Sequence, residues 1–240
     1  MNIALIGYGK MGKAIEQIAL NRGHNISLKI SSSNKNELTE ANLKSADVVI
    51  EFTRPDLAPD HIEICANAGK NIICGTTGWL SNLAKIQEII FKSKIGFIQA
   101  SNFSLGVNIF FAINEKLALM MNQQPQYDAE ILEIHHTAKL DSPSGTAISI
   151  AEDIIKNSDR YKTWGNNIPK KDNELAIISE RKDPAPGTHI VSYTSPIDTI
   201  EISHTAHSRE GFALGAIIAA EWLQNKKGIY SMKDVLNLYI

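Results

Sequence analysis

Asn2-Ile3-Ala4-Leu5-Ile6-Gly7-Tyr8-Gly9-Lys10-Met11-Gly12 opens the chain, and this stretch decides the fold. Its apolar run is expected to form a buried strand over Asn2–Ile6, which breaks into three glycines at G-x-G-x-x-G spacing. Gly7 permits the tight turn out of the strand, Gly9 lets backbone approach a pyrophosphate, and Gly12 lets the next helix pack against the strand. That helix, expected over Met11–Arg22 and closed by Gly23, turns N–H groups and the positive end of its dipole toward a phosphate. The spacing alone is a weak signal, since a glycine turn can serve packing only. The strand before it and the helix after it make Gly7, Tyr8, Gly9, Lys10, Met11 and Gly12 cofactor candidates.

Further along, short apolar runs at Ile26–Ile30, Asp47–Phe52, Asn71–Cys74 and Ile95–Ala100 alternate with helical patterns at Asp56–Ala68 and Leu80–Lys92. Continuous rather than alternating apolar strands, separated by helices, predict a Rossmann-like parallel sheet covered on both faces. Ligands bind such sheets at the carboxyl ends of the strands. Glu51-Phe52-Thr53 and Gly75-Thr76-Thr77-Gly78 end two strands at that edge, which favours a ligand role over simple turns. Ser31-Ser32-Ser33-Asn34-Lys35 follows the second strand without the Asp or Glu that usually holds an NAD ribose. Hydroxyls and Lys35 suit a 2′-phosphate instead, so NADPH is the expected cofactor and NADH the alternative.

The second half reads differently. A long helix is expected at Val107–Met121, a strand at Asp128–His136 and a helix at Thr146–Lys156. A polar loop with Gly165 and Pro169 is expected over Asn157–Asn173, then strands at Leu175–Glu180, His189–Thr194 and Thr199–His204. Strands without intervening helices indicate a smaller α+β domain with a mixed sheet. A strongly apolar helix, Phe212–Leu223, follows. The expected division is 1–103, rejoined by 213–240, for the dinucleotide and 104–212 for substrate binding and oligomerisation.

The 240 residues are 43% hydrophobic and 21% charged with a net charge of −2, ordinary values for a globular enzyme. Lys and Arg are scattered, so bulk charge points to no nucleic acid and no membrane surface. Two cysteines are too few for a disulfide scaffold and read as buried thiols in a reducing cytoplasm. No apolar stretch reaches the ~18 residues of a membrane span, and no cationic segment precedes the first apolar run as in a signal peptide. A cytoplasmic protein is expected.

Glu133-Ile134-His135-His136-Thr137-Ala138-Lys139-Leu140-Asp141-Ser142-Pro143-Ser144-Gly145-Thr146 is the densest polar stretch. Neighbouring strand residues point to opposite faces, so His135 and His136 need not share a role. The Lys139 ammonium can bind a carboxylate or donate a proton. Ser144, Gly145 and Thr146 open a helix whose N-terminus forms a second anion site. The implied ligand is anionic and needs proton transfer. No third ligand stands at a convincing spacing from the two histidines, so no metal is expected. His204-Thr205-Ala206-His207-Ser208-Arg209 is a weaker cluster, read as structural.

These motifs together resemble the dihydrodipicolinate reductase family. The resemblance rests on Gly-Tyr-Gly-Lys-Met-Gly, Glu-Phe-Thr, Gly-Thr-Thr-Gly, Ser-Asn-Phe-Ser-Leu-Gly-Val-Asn at 101–108 and His-His-x-x-Lys-x-Asp-x-Pro-Ser-Gly-Thr. It runs in order over most of the chain. It implies NAD(P)H-dependent reduction of 4-hydroxy-tetrahydrodipicolinate to tetrahydrodipicolinate in lysine and diaminopimelate biosynthesis, by a homotetramer joined through the second domain. His135 and Lys139 would be the acid/base pair, and His136, Ser144, Gly145 and Thr146 would bind a small dicarboxylate. The glycine turn, Ser31, Ser32, Phe52, Gly75, Thr76, Thr77, Ala100, Ser101, Asn102 and Phe103 would line the cofactor. The chain departs from the family pattern in three places. Its glycine motif is shorter, Thr137 stands where Arg is common, and Arg181–His189 follows the pattern loosely. A different two-domain nicotinamide dehydrogenase fits the His-His-x-x-Lys string less well. A nucleotide-sensing module needs no second anion site.

Overall fold

A computed structural model describes residues 1–166, 171–208 and 210–239 of the chain. They form two compact units. One takes Met1–Leu105 with the C-terminal stretch up to Tyr239, the other Gly106–Ser208.

The first unit is built on a six-stranded parallel sheet in the order β11-β5-β4-β3-β1-β2. Its strands are β1 (Asn2–Ile6), β2 (Asn25–Ile30), β3 (Val48–Glu51), β4 (Asn71–Cys74), β5 (Gly96–Gln99) and β11 (Gly228–Tyr230). The helices are α1 (Lys10–Asn21), α2 (Glu40–Leu43), α3 (Ala58–Asn67), α4 (Leu83–Ser93), α7 (Glu210–Trp222) and α8 (Met232–Leu236). Alternation along each strand explains the continuous apolar runs. Ile3, Leu5, Val48, Ile50, Ile73 and Ile98 join Ile15 and Ala19 of α1 and the alanines of α7 in one core. Ala4, Ile6, Val49, Ile72 and Phe97 face Ile62 and Cys65 of α3 and Ile86 and Ile90 of α4 in another. Each fully buried aliphatic side chain of this kind is worth ~1.5–3 kcal/mol in area removed from water. Both sheet faces are therefore covered, as expected for a Rossmann-like sheet. The sequence reading missed β11, whose three residues have no periodicity of their own and pair only with distant β5, Gly228 opposite Gly96.

The second unit holds a five-stranded mixed sheet, β10-β9-β6-β8-β7. These strands are β6 (Asp128–His135), β7 (Thr163–Gly165), β8 (Glu174–Arg181), β9 (Gly187–Thr194) and β10 (Thr199–Ala206), with α5 (Leu105–Met121) and α6 (Gly145–Lys156). β6 runs parallel to β8 and antiparallel to β9. Strand β7 is a correction: it lies inside the stretch expected to be loop, where three residues pair with β8 at Glu174–Ala176. Pro169 of that loop, Arg209 of the His204 cluster and the final Ile240 lie outside the described residues. One sheet face carries the core, with Ala129, Ile131, Leu175, Ile177, Val191 and Tyr193 packed under Ala147, Ile150, Ala151 and Ile154 of α6.

Candidate active site

The first unit gathers every cofactor candidate at the carboxyl edge of its sheet. β1 has β2 on one side and β3 on the other, so the crevice where the winding reverses lies beside the glycine turn. Gly7 adopts φ +97°, and a Cβ there would overlap the carbonyl oxygen of Phe52 at the end of β3. Turn and strand end therefore touch backbone to backbone. Gly9 is different. Its φ of −96° suits any residue, and a Cβ there would meet nothing within 4 Å. The protein's own packing does not demand glycine at this position, and the open space above it fits an incoming pyrophosphate. Helix α1 starts directly after Gly9 with no acidic residue in its first turn and no side-chain cap, which leaves its positive end for a phosphate.

The other strand ends build the walls. Thr53 N donates to Thr76 Oγ1 at 2.7 Å and Trp79 Nε1 to the Thr76 carbonyl at 2.8 Å, tying the ends of β3 and β4 together. Gly75 lies against the Phe52 ring, where a side chain would collide. Phe52 and Phe103 rings pack at 5.8 Å. Ala100 N reaches the Cys74 carbonyl, and the Asn102 side chain accepts from Ser104 N at 2.9 Å. Thr77 and Ser101 are exposed beside them. The Ser31 hydroxyl is taken up within its loop by Ser33 and Asn34, while Ser32 is exposed. Beside the turn, the Tyr8 hydroxyl donates to Glu16, which also pairs with Lys29 at 3.0 Å. The sequence reading did not single out Glu16 or Lys29.

The second unit's candidates converge on one end of β6. Its inward positions alternate Ala129, Ile131, Glu133, His135, so the core face turns from apolar to ionic within one strand. Register extends the pattern across the sheet: Ser179, Glu133, His189 and His204 stand in one row. Glu133 is fully buried. Its oxygens accept from Ser144 N at 3.1 Å, from Ser179 Oγ at 2.7 Å and from the Arg181 guanidinium at 3.4 Å. His135 Nδ1 lies 3.3 Å from Glu133 Oε2, off hydrogen-bonding alignment. Burial alone would push the Glu133 carboxyl up, but His135, Ser144 and Ser179 overcome it and hold the group well below the usual carboxylate range. His189 Nε2 lies 3.2 Å from Ser144 Oγ and 3.8 Å from Glu133. Donor atoms of Glu133, His135 and His189 fall within 4.8 Å of one another. A cation would compete there with the Arg181 charge and the N–H and O–H donors already on Glu133.

Lys139 lies in the turn after β6, half-buried, its ammonium on both Asp141 oxygens at 2.7 and 2.8 Å. Ser144 caps α6 by accepting from Ala147 N at 3.1 Å. It is buried, with its N–H on Glu133, so it supports the network rather than facing outward. Gly145 follows in open space, with half-buried Thr146 next to it. His136 stands just past the strand end, outside the groups bonded to Glu133. Thr137 bonds Asp183 at 2.5 Å through its hydroxyl. Glu133, His189 and Arg181 escaped the sequence reading. Period-two alternation from Ala129 was the available signal for Glu133, whereas the register opposite His189 is not written locally.

Burial, with His135 beside it, pushes the His189 imidazole down to about 3. Unfolded, the ring titrates near ~6.5. Between these values the unfolded chain takes up a proton that the folded chain refuses. Stability that is complete above the unfolded value is therefore lost as pH falls. Glu133 adds acid sensitivity lower down, because its depressed folded value makes its stabilisation fade as the carboxylate protonates. From about pH 7 to about pH 4.5 the second unit is expected to lose about 2–3 kcal/mol through His189, seen as a falling thermal midpoint. The His189→Asn variant should flatten that fall. A midpoint constant over the interval would contradict a neutral buried His189.

Comparison with known proteins divides the chain at the first of these unit boundaries, while the second family model runs on through α7 into the stretch that completes the first unit. The family model described as dihydrodipicolinate reductase, N-terminus, matches residues 1–103, and the one described as dihydrodipicolinate reductase, C-terminus, matches residues 106–236. A 4-hydroxy-tetrahydrodipicolinate reductase of Christiangramia forsetii is 49% identical over 99% of this chain and 98% of its own length. One from Thermosipho africanus is 37% identical, with 98% of each chain covered. Among solved structures, dipicolinate-bound dihydrodipicolinate reductase from Paenisporosarcina sp. TG-14 shares the fold, with TM-score 0.75 at 20% identity over 96% of this chain and 97% of that one.

Proposed function

The chain belongs to the dihydrodipicolinate reductase family of NAD(P)H-dependent oxidoreductases, and from that premise we propose that it reduces 4-hydroxy-tetrahydrodipicolinate to tetrahydrodipicolinate in lysine and diaminopimelate biosynthesis. One observation carries the reading. Lys139, the opening turn of α6 and His135 on a buried carboxylate stand together in the second unit. That combination suits an anionic substrate that must be protonated.

NAD(P)H held at the glycine turn supplies a hydride to a conjugated ring carbon of the substrate. The chain's own residues do the rest. Gly145 and Thr146 at the positive end of α6 bind one substrate carboxylate, with His136 assisting and Ser144 holding the turn from within. The Lys139 ammonium, now on Asp141, exchanges that carboxylate for one of the substrate. As water leaves and the hydride adds, enamine-like charge develops on the ring, and Lys139 or His135 delivers the proton. Ser31, Ser32, Phe52, Gly75–Thr77 and Ala100–Phe103 complete the cofactor pocket around the turn.

We assign NADPH as the preferred cofactor, because hydroxyls and Lys35 rather than an acid follow β2. Lys35→Ala is expected to lower kcat/KM for NADPH about tenfold, a ~1.4 kcal/mol loss, and to leave NADH nearly untouched. Equal effects on both cofactors would remove Lys35 from the 2′-phosphate site. We assign the active form as a homotetramer. Ile190, Leu132 and Ile178 form a cross-strand row on the sheet face away from the core, only partly buried in the single chain, and such a face favours a partner. Light scattering should return four times the mass of one chain, and a monomeric mass for active enzyme would contradict it. Among the described residues no helix is long and apolar enough to cross a membrane. We place the reaction in the cytoplasm, where Cys65 and Cys74 stay reduced. Expression in a bacterium lacking this reductase step should restore growth without diaminopimelate, and failure of a well-expressed chain to do so would contradict the reading.

A further inference from the structure

A fully buried carboxylate in the core phase of a strand is costly, and an apolar residue there is often neutral or better for stability. Ile131, two residues earlier on the same face, shows what packing alone selects. Glu133 instead gathers donors from two directions, Ser144 N from the α6 cap and Ser179 and Arg181 from β8, with His135 Nδ1 beside it at 3.3 Å on its own strand. Arg181 also reaches the Asp141 carbonyl at 2.6 Å, so the network extends to the residue that holds Lys139. Across from His135, β9 offers Gly187, where a Cβ would come within 3.1 Å of Nε2. A side chain there would crowd the imidazole, and glycine leaves the ring its place.

We propose that Glu133 is a positioning residue for the reaction assigned above: one buried charge orients His135 through Nδ1 and, through Ser144, fixes the first turn of α6 that receives the substrate carboxylate. The inference rests on that functional reading. A carboxylate held 3.3 Å from one ring nitrogen favours one orientation of the ring. The other charged or titratable groups around His135 are His189 on β9, Arg181 on β8, His204 beyond His189 in the row, and Lys139 and Asp141 in the following turn. His189 stays neutral near neutral pH and adds no competing positive charge.

The test compares three variants of the full chain with wild type, in steady-state turnover and thermal melting. Glu133→Gln keeps the shape and a carbonyl acceptor but removes the charge. It is expected to lower kcat at least tenfold, raise KM for the dicarboxylate several-fold and leave KM for NADPH unchanged. Glu133→Asp keeps the charge on a shorter arm, so it should recover part of the turnover and of the dicarboxylate KM, a rescue that reads the charge even should the Gln variant fold poorly. Ile131→Val is the packing control. It should lower the melting temperature and alter neither kcat nor KM. A folded Gln variant with wild-type kcat and dicarboxylate KM overturns the proposal, as does an Asp variant that recovers neither, or an equal change in that KM by Val at 131. An inactive wild-type chain overturns the functional reading first, and this inference with it.

Discussion

Lys139→Ala is expected to lower turnover by about 10²-fold or more, the lower range of general-acid effects. The ammonium is the one cation in the turn after β6. It stands on Asp141 at 2.7 and 2.8 Å, half-buried and accessible to an exchanging carboxylate. Removing it takes away both a proton source and a carboxylate partner, so kcat should fall and KM for the dicarboxylate rise. KM for NADPH should stay put, because the glycine turn belongs to the other unit. Stability should change little, since Asp141 is exposed and such pairs are worth ~0–1 kcal/mol. Lys139→Arg keeps the positive charge but gives up its proton far less readily. It should therefore recover substrate affinity more than turnover. A near-normal rate for the Ala variant would remove Lys139 from the mechanism and leave protonation to His135.

The second large effect separates two glycines of one motif. Gly7→Ala places a methyl group against the Phe52 carbonyl at a φ of +97°, so turn and strand end must part. A loss of several kcal/mol in the first unit is expected, by analogy with other strained or overpacked positions. Gly9→Val adds a Cβ that has nothing within 4 Å of it, at an ordinary φ. It should melt like wild type yet lose most of its NADPH affinity, because the side chain fills the space above the α1 terminus. Isothermal titration with NADPH beside a thermal melt reads both. A Gly9→Val chain that binds NADPH as wild type would mean that the cofactor phosphates lie elsewhere.

These contrasts show what was legible in the sequence and why. The β1–turn–α1 unit could be read because each of its signals is local: an apolar run, glycine spacing and a helix opening within twenty residues. The covered sheet could be read from continuous runs such as Val48–Ile50, whose residues alternate between the two cores. Strands β7 and β11 could not, since three residues carry no period and their partners lie far along the chain. Lys139 and the α6 opening stood out as a polar string. Glu133 was quoted in that string, but its role appears only when β6 is counted in twos from Ala129. His189 needed more still, because only the antiparallel register of β6 and β9 sets it opposite Glu133. Ser144 shows the opposite limit. Its place in the motif suggested outward contact with substrate, and the fold turns it inward onto Glu133 and His189.

The most direct test is a coupled assay. The purified chain is supplied with pyruvate, aspartate semialdehyde and the upstream synthase, and nicotinamide absorbance is followed with NADPH and with NADH. The expected result is cofactor oxidation that depends on the synthase, faster with NADPH, with tetrahydrodipicolinate identified by mass as the product. Absence of synthase-dependent oxidation with either cofactor, from a folded chain that binds NADPH, would contradict the assignment.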